Sequence, residues 1–129
     1  MGYVSILFVS LSLALAQSNY CSINKCSEAF MKTLKKAESG DPKSQNKVGE
    51  MLHFGEGAEK NFSEAKAWYL KASKSGHAEA ANHLGRLYFN GEGVEKDDKE
   101  ACKWYKVSSE LGDKNGKLNY ERCLKTSRQ

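Results

Sequence analysis

The sequence predicts an all-α protein built as a short solenoid of antiparallel helix pairs. Three observations lead to this class: a set of residues recurs every 36 positions, apolar residues follow helical spacing, and glycines with capping residues divide each interval in two. The predicted repeat domain covers 27–129. It consists of a half-repeat at 27–40, full repeats at 41–76 and 77–112, and a closing half-repeat at 113–129.

The recurring residues are turn glycines, a loop tripeptide and an aromatic pair. Shifted by 36 positions, they align as Gly40 with Gly76 and Gly112, Gly55-Glu56-Gly57 with Gly91-Glu92-Gly93, and Trp68-Tyr69 with Trp104-Tyr105. A tandem repeat of this kind indicates stacked helical units, each of which buries its apolar side against the next.

Each full repeat is predicted to contain two helices. We expect the first helices over 42–54 and 78–89, and the second helices over 62–75 and 98–110. Apolar residues of the second helices are spaced i, i+3, i+4 and i+7, as a single core-facing stripe requires. These residues are Ala65, Trp68, Tyr69 and Ala72 in one helix and Ala101, Trp104, Tyr105 and Ser108 in the other. The stripe places both aromatic pairs in the core.

Capping residues mark the predicted helix ends. Asp41 precedes Pro42 as an N-cap, and the spacing of a capping box is present at Asn61 with Glu64 and at Asp97 with Glu100. The glycines that recur after the second helices are expected to be left-handed. Glycines also recur inside the first helices, at Gly49 and Gly85, where they cost about 1 kcal/mol relative to alanine. We therefore expect another helix to pass close there.

The second repeat carries the most specific pattern. It reads Leu84-Gly85-x-Leu87-Tyr88-x-x-Gly91-x-Gly93-Val94, followed by Ala101-x-x-Trp104-Tyr105 and Gly112. This pattern resembles the Sel1-like repeat family, a relative of the tetratricopeptide repeats, and the resemblance extends over nearly all of 27–124. It implies a right-handed superhelix that serves as an adaptor for protein complexes.

The first 16 residues are predicted to be a signal peptide. They contain no charged side chain, and the apolar run ends at Ala14-Leu15-Ala16, a small-x-small pattern typical of signal peptidase cleavage. No lysine or arginine follows Met1, so an uncleaved anchor is the alternative. With cleavage, we expect a secreted or periplasmic protein without stable membrane insertion, in which a cysteine-bearing lead-in at 17–26 precedes the repeats.

Four cysteines in an exported chain predict two disulfides. Three pairings are possible. The sequence favours Cys21 with Cys26, which are close neighbours, and Cys102 with Cys123, which lie on consecutive predicted helices. The alternative for the second pair is two free, buried thiols.

The exported, cysteine-bearing chain also resembles the Helicobacter cysteine-rich proteins. That resemblance implies a second function, β-lactam binding or hydrolysis. Those proteins carry a cysteine pair in each repeat, whereas the corresponding residues here are Ser73 and Ala81. Protein or peptide binding is therefore the preferred function, and the β-lactam activity is the alternative.

Composition and motifs favour few kinds of chemistry. The net charge of +4 comes from interspersed lysine and glutamate, so a nucleic-acid interface is not expected. The Gly-Glu-Gly loops follow helices rather than strands, which excludes a dinucleotide-binding fingerprint. The three histidines lack zinc-ligand spacing, and no serine has a base at a known offset. We expect no cofactor, no metal and no catalytic residue.

The remaining candidate is the face of the first helices that is directed away from the predicted core. Repeat proteins build their extended binding surfaces on such faces. The candidate protein-binding residues are Asn46, Lys47, Glu50, Asn82, His83, Arg86, Asn119 and Arg122. A merely solvated face is the alternative. Because an array of two full repeats is near the minimum for stability, end-to-end association is a further possibility.

Overall fold

The computed structural model of the protein describes residue 21 and residues 25–129. The predicted signal peptide and most of the lead-in lie outside the described residues. The described part contains six α-helices and no strand, which confirms the all-α class. The helices are α1 (Glu28–Glu38), α2 (Pro42–Phe54), α3 (Phe62–Lys74), α4 (Ala78–Asn90), α5 (Asp98–Glu110) and α6 (Lys114–Thr126). Each helix packs against the next along the chain, and α4 also contacts α6.

The predicted helix starts are those of the structure. The side-chain oxygens of Asp41, Asn61 and Asp97 each accept a hydrogen bond from the backbone N–H three residues further on. The backbone N–H groups of Asn61 and Asp97 donate to the carbonyl oxygens of Leu52 and Tyr88, at 2.8 and 3.0 Å. These bonds connect the start of each second helix to the first helix of its own repeat.

The expected close approach at the helical glycines is also present. A Cβ atom added to Gly49 would lie 2.5 Å from Cε1 of Tyr69, and one added to Gly85 would lie 2.5 Å from Tyr105. In both repeats, the tyrosine ring of the second helix packs directly on the backbone of the first. At either position a side chain would fit only if the tyrosine ring moved, because a Cβ atom would occupy the space of the ring.

The core is continuous from α1 to α4 and weaker beyond it. Phe30, Leu52, Tyr69 and Leu84 are all fully buried, whereas Gly116 is the one buried residue of α6. The prediction of a buried aromatic pair is correct for Trp68, which is 4% exposed, but only partly correct for its counterpart Trp104, which is half-buried. Trp104 lies near the end of the array, where fewer helices are available to cover it.

Two disulfides join the cysteines in the pairs that the sequence favours. Cys21 bonds Cys26, with the Cα atoms 5.4 Å apart. Cys102 on α5 bonds Cys123 on α6, with the Cα atoms 5.9 Å apart. Within the described part of the chain, no helix is long and apolar enough to cross a membrane.

Candidate functional site

The candidate binding residues lie on the first helices α2, α4 and α6, and they form two junctions between successive repeats. The first junction joins α2 to α4 and consists of Asn46, Glu50, Glu79 and His83. The second junction joins α4 to α6 and consists of the residues 36 positions later: Asn82, Arg86, Asn115 and Asn119. The two junctions occupy equivalent places in the array but differ in chemistry.

In the first junction, one amide contacts two carboxylates. Nδ2 of Asn46 donates to Oε1 of Glu50 at 3.2 Å and to Oε2 of Glu79 at 3.4 Å. Lys47 approaches the other oxygen of Glu50, with Nζ 3.0 Å from Oε2. Asn46 therefore links the middle of α2 to the first turn of α4, and it holds both carboxylates in place.

His83 lies at the centre of the first junction. Its Nε2 atom is 3.4 Å from Oε1 of Glu50 and 4.0 Å from Oε1 of Glu79. Its ring stacks on that of Tyr69, with the centroids 4.8 Å apart and the planes 21° from parallel. The side chain holds its position because the tyrosine of α3 supports one side of the imidazole.

Burial of three candidate residues corrects the sequence-based interpretation of this face. Asn46, Asn82 and His83 were expected off the packed surface, yet they are 4%, 6% and 7% exposed. The reason is that side chains of α2 and α4 meet across this face, so they contact the next repeat rather than solvent. The two asparagines do not form an open column of amides for a peptide backbone.

Electrostatics of the first junction favour a neutral imidazole. Burial lowers the pKa of His83 to about 4, although the Glu50 carboxylate opposes that shift. Its approach to Glu50 is therefore a contact between a neutral ring and a carboxylate at neutral pH. The hydrogen bond to Glu50 raises the pKa of Lys47, and burial raises the pKa of Tyr69 well above its usual range.

A second buried histidine, His53, lies on α2, about one turn after Glu50. Nε2 of His53 is 2.7 Å from Oε2 of Glu92, in the loop after α4. The ring of His53 meets Phe62 edge-on, with the centroids 5.3 Å apart. Burial lowers the pKa of His53, and Glu92 acts in the opposite direction. This pair joins the end of α2 in the first repeat to the loop after α4 in the second repeat.

The second junction is held by an amide pair. Nδ2 of Asn119 donates to Oδ1 of Asn82 at 2.9 Å. The second junction has Arg86 where the first has Glu50, and Asn119 where the first has His83. It therefore has no carboxylate pair and no imidazole.

Beside the second junction lies a groove of about 600 Å³ whose surface is mostly apolar. We call it the C-terminal groove. It lies between the end of α4, α5 and α6, and its lining includes Phe89, Tyr105, Asn119, Arg122 and the Cys102–Cys123 disulfide. Phe89 is 51% exposed. Of the candidate binding residues, Asn119 and Arg122 thus line a cavity that is open to a ligand.

Glu79 is the site residue that sequence reasoning missed. It lies four residues before His83 on α4, and the pair meets Glu50 from the neighbouring helix. The one available signal was this i, i+4 spacing, which places two side chains on the same side of a helix. The ligand atoms of Glu50, Glu79 and His83 all lie within 4.8 Å of one another, so this group can hold a metal ion. That possibility departs from the expectation of no metal.

Hydroxyl groups do not form a comparable cluster. Among the described residues, no serine hydroxyl is hydrogen-bonded to a histidine or lysine side chain; that of Ser108, for example, donates to the carbonyl oxygen of Ala78. A serine nucleophile needs such a base within hydrogen-bond reach. The β-lactam alternative therefore stays a prediction from resemblance alone.

A profile of the Sel1 repeat matches residues 42–77 and 78–113, more than half of the chain. The protein therefore belongs to the Sel1 repeat family, as the sequence pattern predicted. Its fold is a scaffold that generally mediates protein interactions.

Solved structures give the same fold. A Sel1 repeat protein from Oxalobacter formigenes is 30% identical, with a TM-score of 0.71 over 74% of this chain and 39% of that one. A protective antigen present in uropathogenic Escherichia coli strains, which displays an SLR fold, is 31% identical, with a TM-score of 0.67 over 77% of this chain and 20% of that one. The chain thus spans less than half of either protein.

Cysteine rich protein B of Helicobacter pylori shares the fold at 24% identity, with a TM-score of 0.63 over 67% of this chain and 65% of that one. A comparison with curated protein sequences gave no match.

Proposed function

We propose that this protein is an exported scaffold that binds a peptide segment of another protein in the C-terminal groove. The observation that carries the proposal is the composition of that groove. It combines an exposed aromatic ring with a rim that holds Lys99 and Arg122 as well as Asp98, whose carboxylate is paired with Lys96. Such a combination suits a segment in which an apolar side chain is followed by a carboxylate.

The apolar part of the groove supplies the contact area. Half of Phe89 is exposed, and Tyr105 lies beside it. Complete burial of such a side chain contributes about 1.5–3 kcal/mol, so covering its exposed half contributes roughly half of that. Nζ of Lys96 lies 4.8 Å from the centroid of the Phe89 ring, a cation–π contact with this aromatic side chain.

The polar rim of the groove would orient the bound peptide. Arg122 is exposed, and its guanidinium forms no ion pair with any described residue. Arginine binds carboxylates through two parallel hydrogen bonds, so it selects for a planar acidic group. Asn119 shares the rim, but its Nδ2 atom is already used by Asn82.

Export is supported by the cysteines. All four are paired in disulfides, which form and persist in oxidising compartments. We infer a secreted or periplasmic protein, with cleavage after Ala16. Sequencing the N-terminus of the protein from its native host tests this part, because an intact Met1 on the exported chain would contradict it.

The binding experiment is a selection of displayed peptides on the immobilised full chain, followed by affinity measurement. Arg122→Glu is expected to weaken the selected peptides at least tenfold, because a rim cation becomes an anion facing a carboxylate. Phe89→Ala is expected to weaken them further. Both side chains are exposed, so the fold should be unchanged, which circular dichroism checks.

Lys125→Glu is the matched control, since it reverses a charge three residues further along α6 at a side chain that does not line the groove. It should leave the affinity within about twofold, because an exposed charge outside an interface contributes little. Equal losses in Arg122→Glu and Lys125→Glu would show general charge attraction instead of binding in the groove.

A further inference from the structure

We propose that Glu50, Glu79 and His83 form a zinc site that links the two repeats through α2 and α4. This site is separate from the C-terminal groove and does not depend on the proposed peptide binding. It rests on three observations: the geometry of the ligand atoms, the unsatisfied nitrogens of the buried imidazole, and the side chains that hold the carboxylates.

The ligand atoms are already close to a coordination geometry. Nε2 of His83 and Oε1 of Glu50 are 3.4 Å apart. Tetrahedral ligands at about 2.0–2.2 Å from zinc are separated by roughly 3.4 Å. Oε1 of Glu79 lies 4.0 Å from the same nitrogen. Glu79 is 55% exposed in the first turn of α4, so its carboxylate can move inward at little cost.

The imidazole has a vacant coordinating atom. His83 is more than nine-tenths buried, and neither of its ring nitrogens has a hydrogen-bond partner within the described part of the chain. A buried polar atom without a partner costs about 1–3 kcal/mol. Coordination of zinc by Nε2 would satisfy one of the two nitrogens.

The surrounding side chains orient the carboxylates. Asn46 donates to both Glu50 and Glu79, and Lys47 engages the Glu50 oxygen that is turned away from His83. Outer contacts of this kind commonly position metal ligands. Tyr69 fixes the plane of the imidazole by stacking. A divalent ion would balance the two carboxylates that the fold places side by side.

The donor set favours zinc over calcium and magnesium. Calcium and magnesium prefer ligand sets made of oxygen atoms alone, whereas one imidazole with two carboxylates suits zinc. Three protein ligands leave the fourth position to water. Since Glu79 and His83 come from α4 and Glu50 from α2, the bound ion would connect neighbouring repeats.

The experiment titrates the full chain, without a histidine tag and after treatment with a chelator, with zinc chloride in a calorimeter. We expect one zinc ion per chain and no binding of calcium chloride. Nuclear magnetic resonance of the imidazole nitrogens should show a zinc-dependent shift of Nε2 in His83. Absence of zinc binding by the unaltered chain would overturn the proposal.

Variants assign the ligands. Glu50→Gln and Glu79→Gln should each weaken zinc binding at least tenfold, and His83→Gln should abolish it. Glu79→Gln is the decisive variant, because its exposed side chain can be changed without affecting folding. Glu92→Gln is the matched control: it removes a nearby negative charge that pairs with His53 instead. Zinc affinity that is unchanged in Glu79→Gln, or lowered as much in Glu92→Gln, would contradict the site.

Discussion

The two junctions between repeats occupy equivalent places in the array, yet they are held together by different means. The first junction is covered by α3 and contains a buried imidazole, two carboxylates and an amide that bridges them. The second junction has one hydrogen bond between amides, and a disulfide clamps its outer helix to α5. The difference follows from how much apolar surface each place can bury.

An internal helix is stabilised by burial of its apolar side chains, whereas the terminal helix buries few and is held by a disulfide. In α4, Leu84 and Leu87 are fully buried between neighbours, whereas α6 contributes only Gly116 to the buried set. Leu118 and Leu124 of α6 are largely exposed. A covalent link at Cys102–Cys123 therefore takes the place of the packing that α6 lacks.

Removing that disulfide should give the largest effect. The double variant Cys102→Ser with Cys123→Ser opens a cross-link between residues 21 positions apart. We expect a loss of about 3 kcal/mol in the free energy of unfolding. The expected consequence is local, with α6 exchanging its amide hydrogens faster than α4. Denaturant unfolding and hydrogen exchange measure the two effects.

The control is the pair Cys21 and Cys26, whose sequence separation is only 5. Replacing both by serine should cost less, about 2 kcal/mol, because a shorter loop loses less entropy on closure. It should leave α6 protected. Equal protection of α6 in both double variants would show that the terminal helix does not depend on its disulfide.

The next largest change in stability is expected from replacing Gly49, which contacts the Tyr69 ring. Replacing Gly85, which contacts Tyr105, should have a different effect. Gly49→Ala should destabilise the protein by about 1–2 kcal/mol, because Tyr69 is fully buried and stacked against His83, so it cannot move aside. Gly85→Ala should be close to neutral. Tyr105 lies at the edge of the C-terminal groove and can tilt, while alanine gains about 1 kcal/mol of helix propensity.

Denaturant unfolding of the two single variants is the measurement. The informative quantity is the difference between them, since both replace the same residue at equivalent positions. Equal losses would mean that Tyr105 is held as firmly as Tyr69, and the second repeat would then be as well packed as the first.

Local features of the fold were predictable because the residues that determine them occur in both repeats. The helix starts at Pro42, Phe62 and Asp98 depend on adjacent capping residues, and the turn at Gly76 depends on its own backbone, which has a φ of 84°. The contact between Gly49 and the next helix was inferred from its recurrence. Such features need no knowledge of distant residues.

The chemistry of the first junction was not predictable in the same way. Aligning the repeats pairs Glu50 with Arg86, which suggests a variable, exposed position. The alignment gives no reason to connect Glu50 with Glu79 and His83. Glu50 belongs to one repeat and the other two residues to the next, and they do not occupy equivalent positions. The burial of His83 depends on a ring from α3. Contacts between repeats therefore determine the chemistry of the first junction, whereas contacts within a repeat determine the fold.

The smallest expected effect concerns the amide pair of the second junction. Asn119→Ala removes the donor to Oδ1 of Asn82, a residue that is nearly buried. We expect a loss of about 1 kcal/mol, the net contribution of one hydrogen bond whose acceptor then loses its partner. Asn115→Ala, one turn earlier on α6 at an exposed position, is the matched control and should not destabilise the protein. Thermal unfolding compares the two. Should Asn119→Ala be as stable as Asn115→Ala, the second junction would depend on its disulfide alone, and the contrast between the two junctions would be larger than the structure indicates.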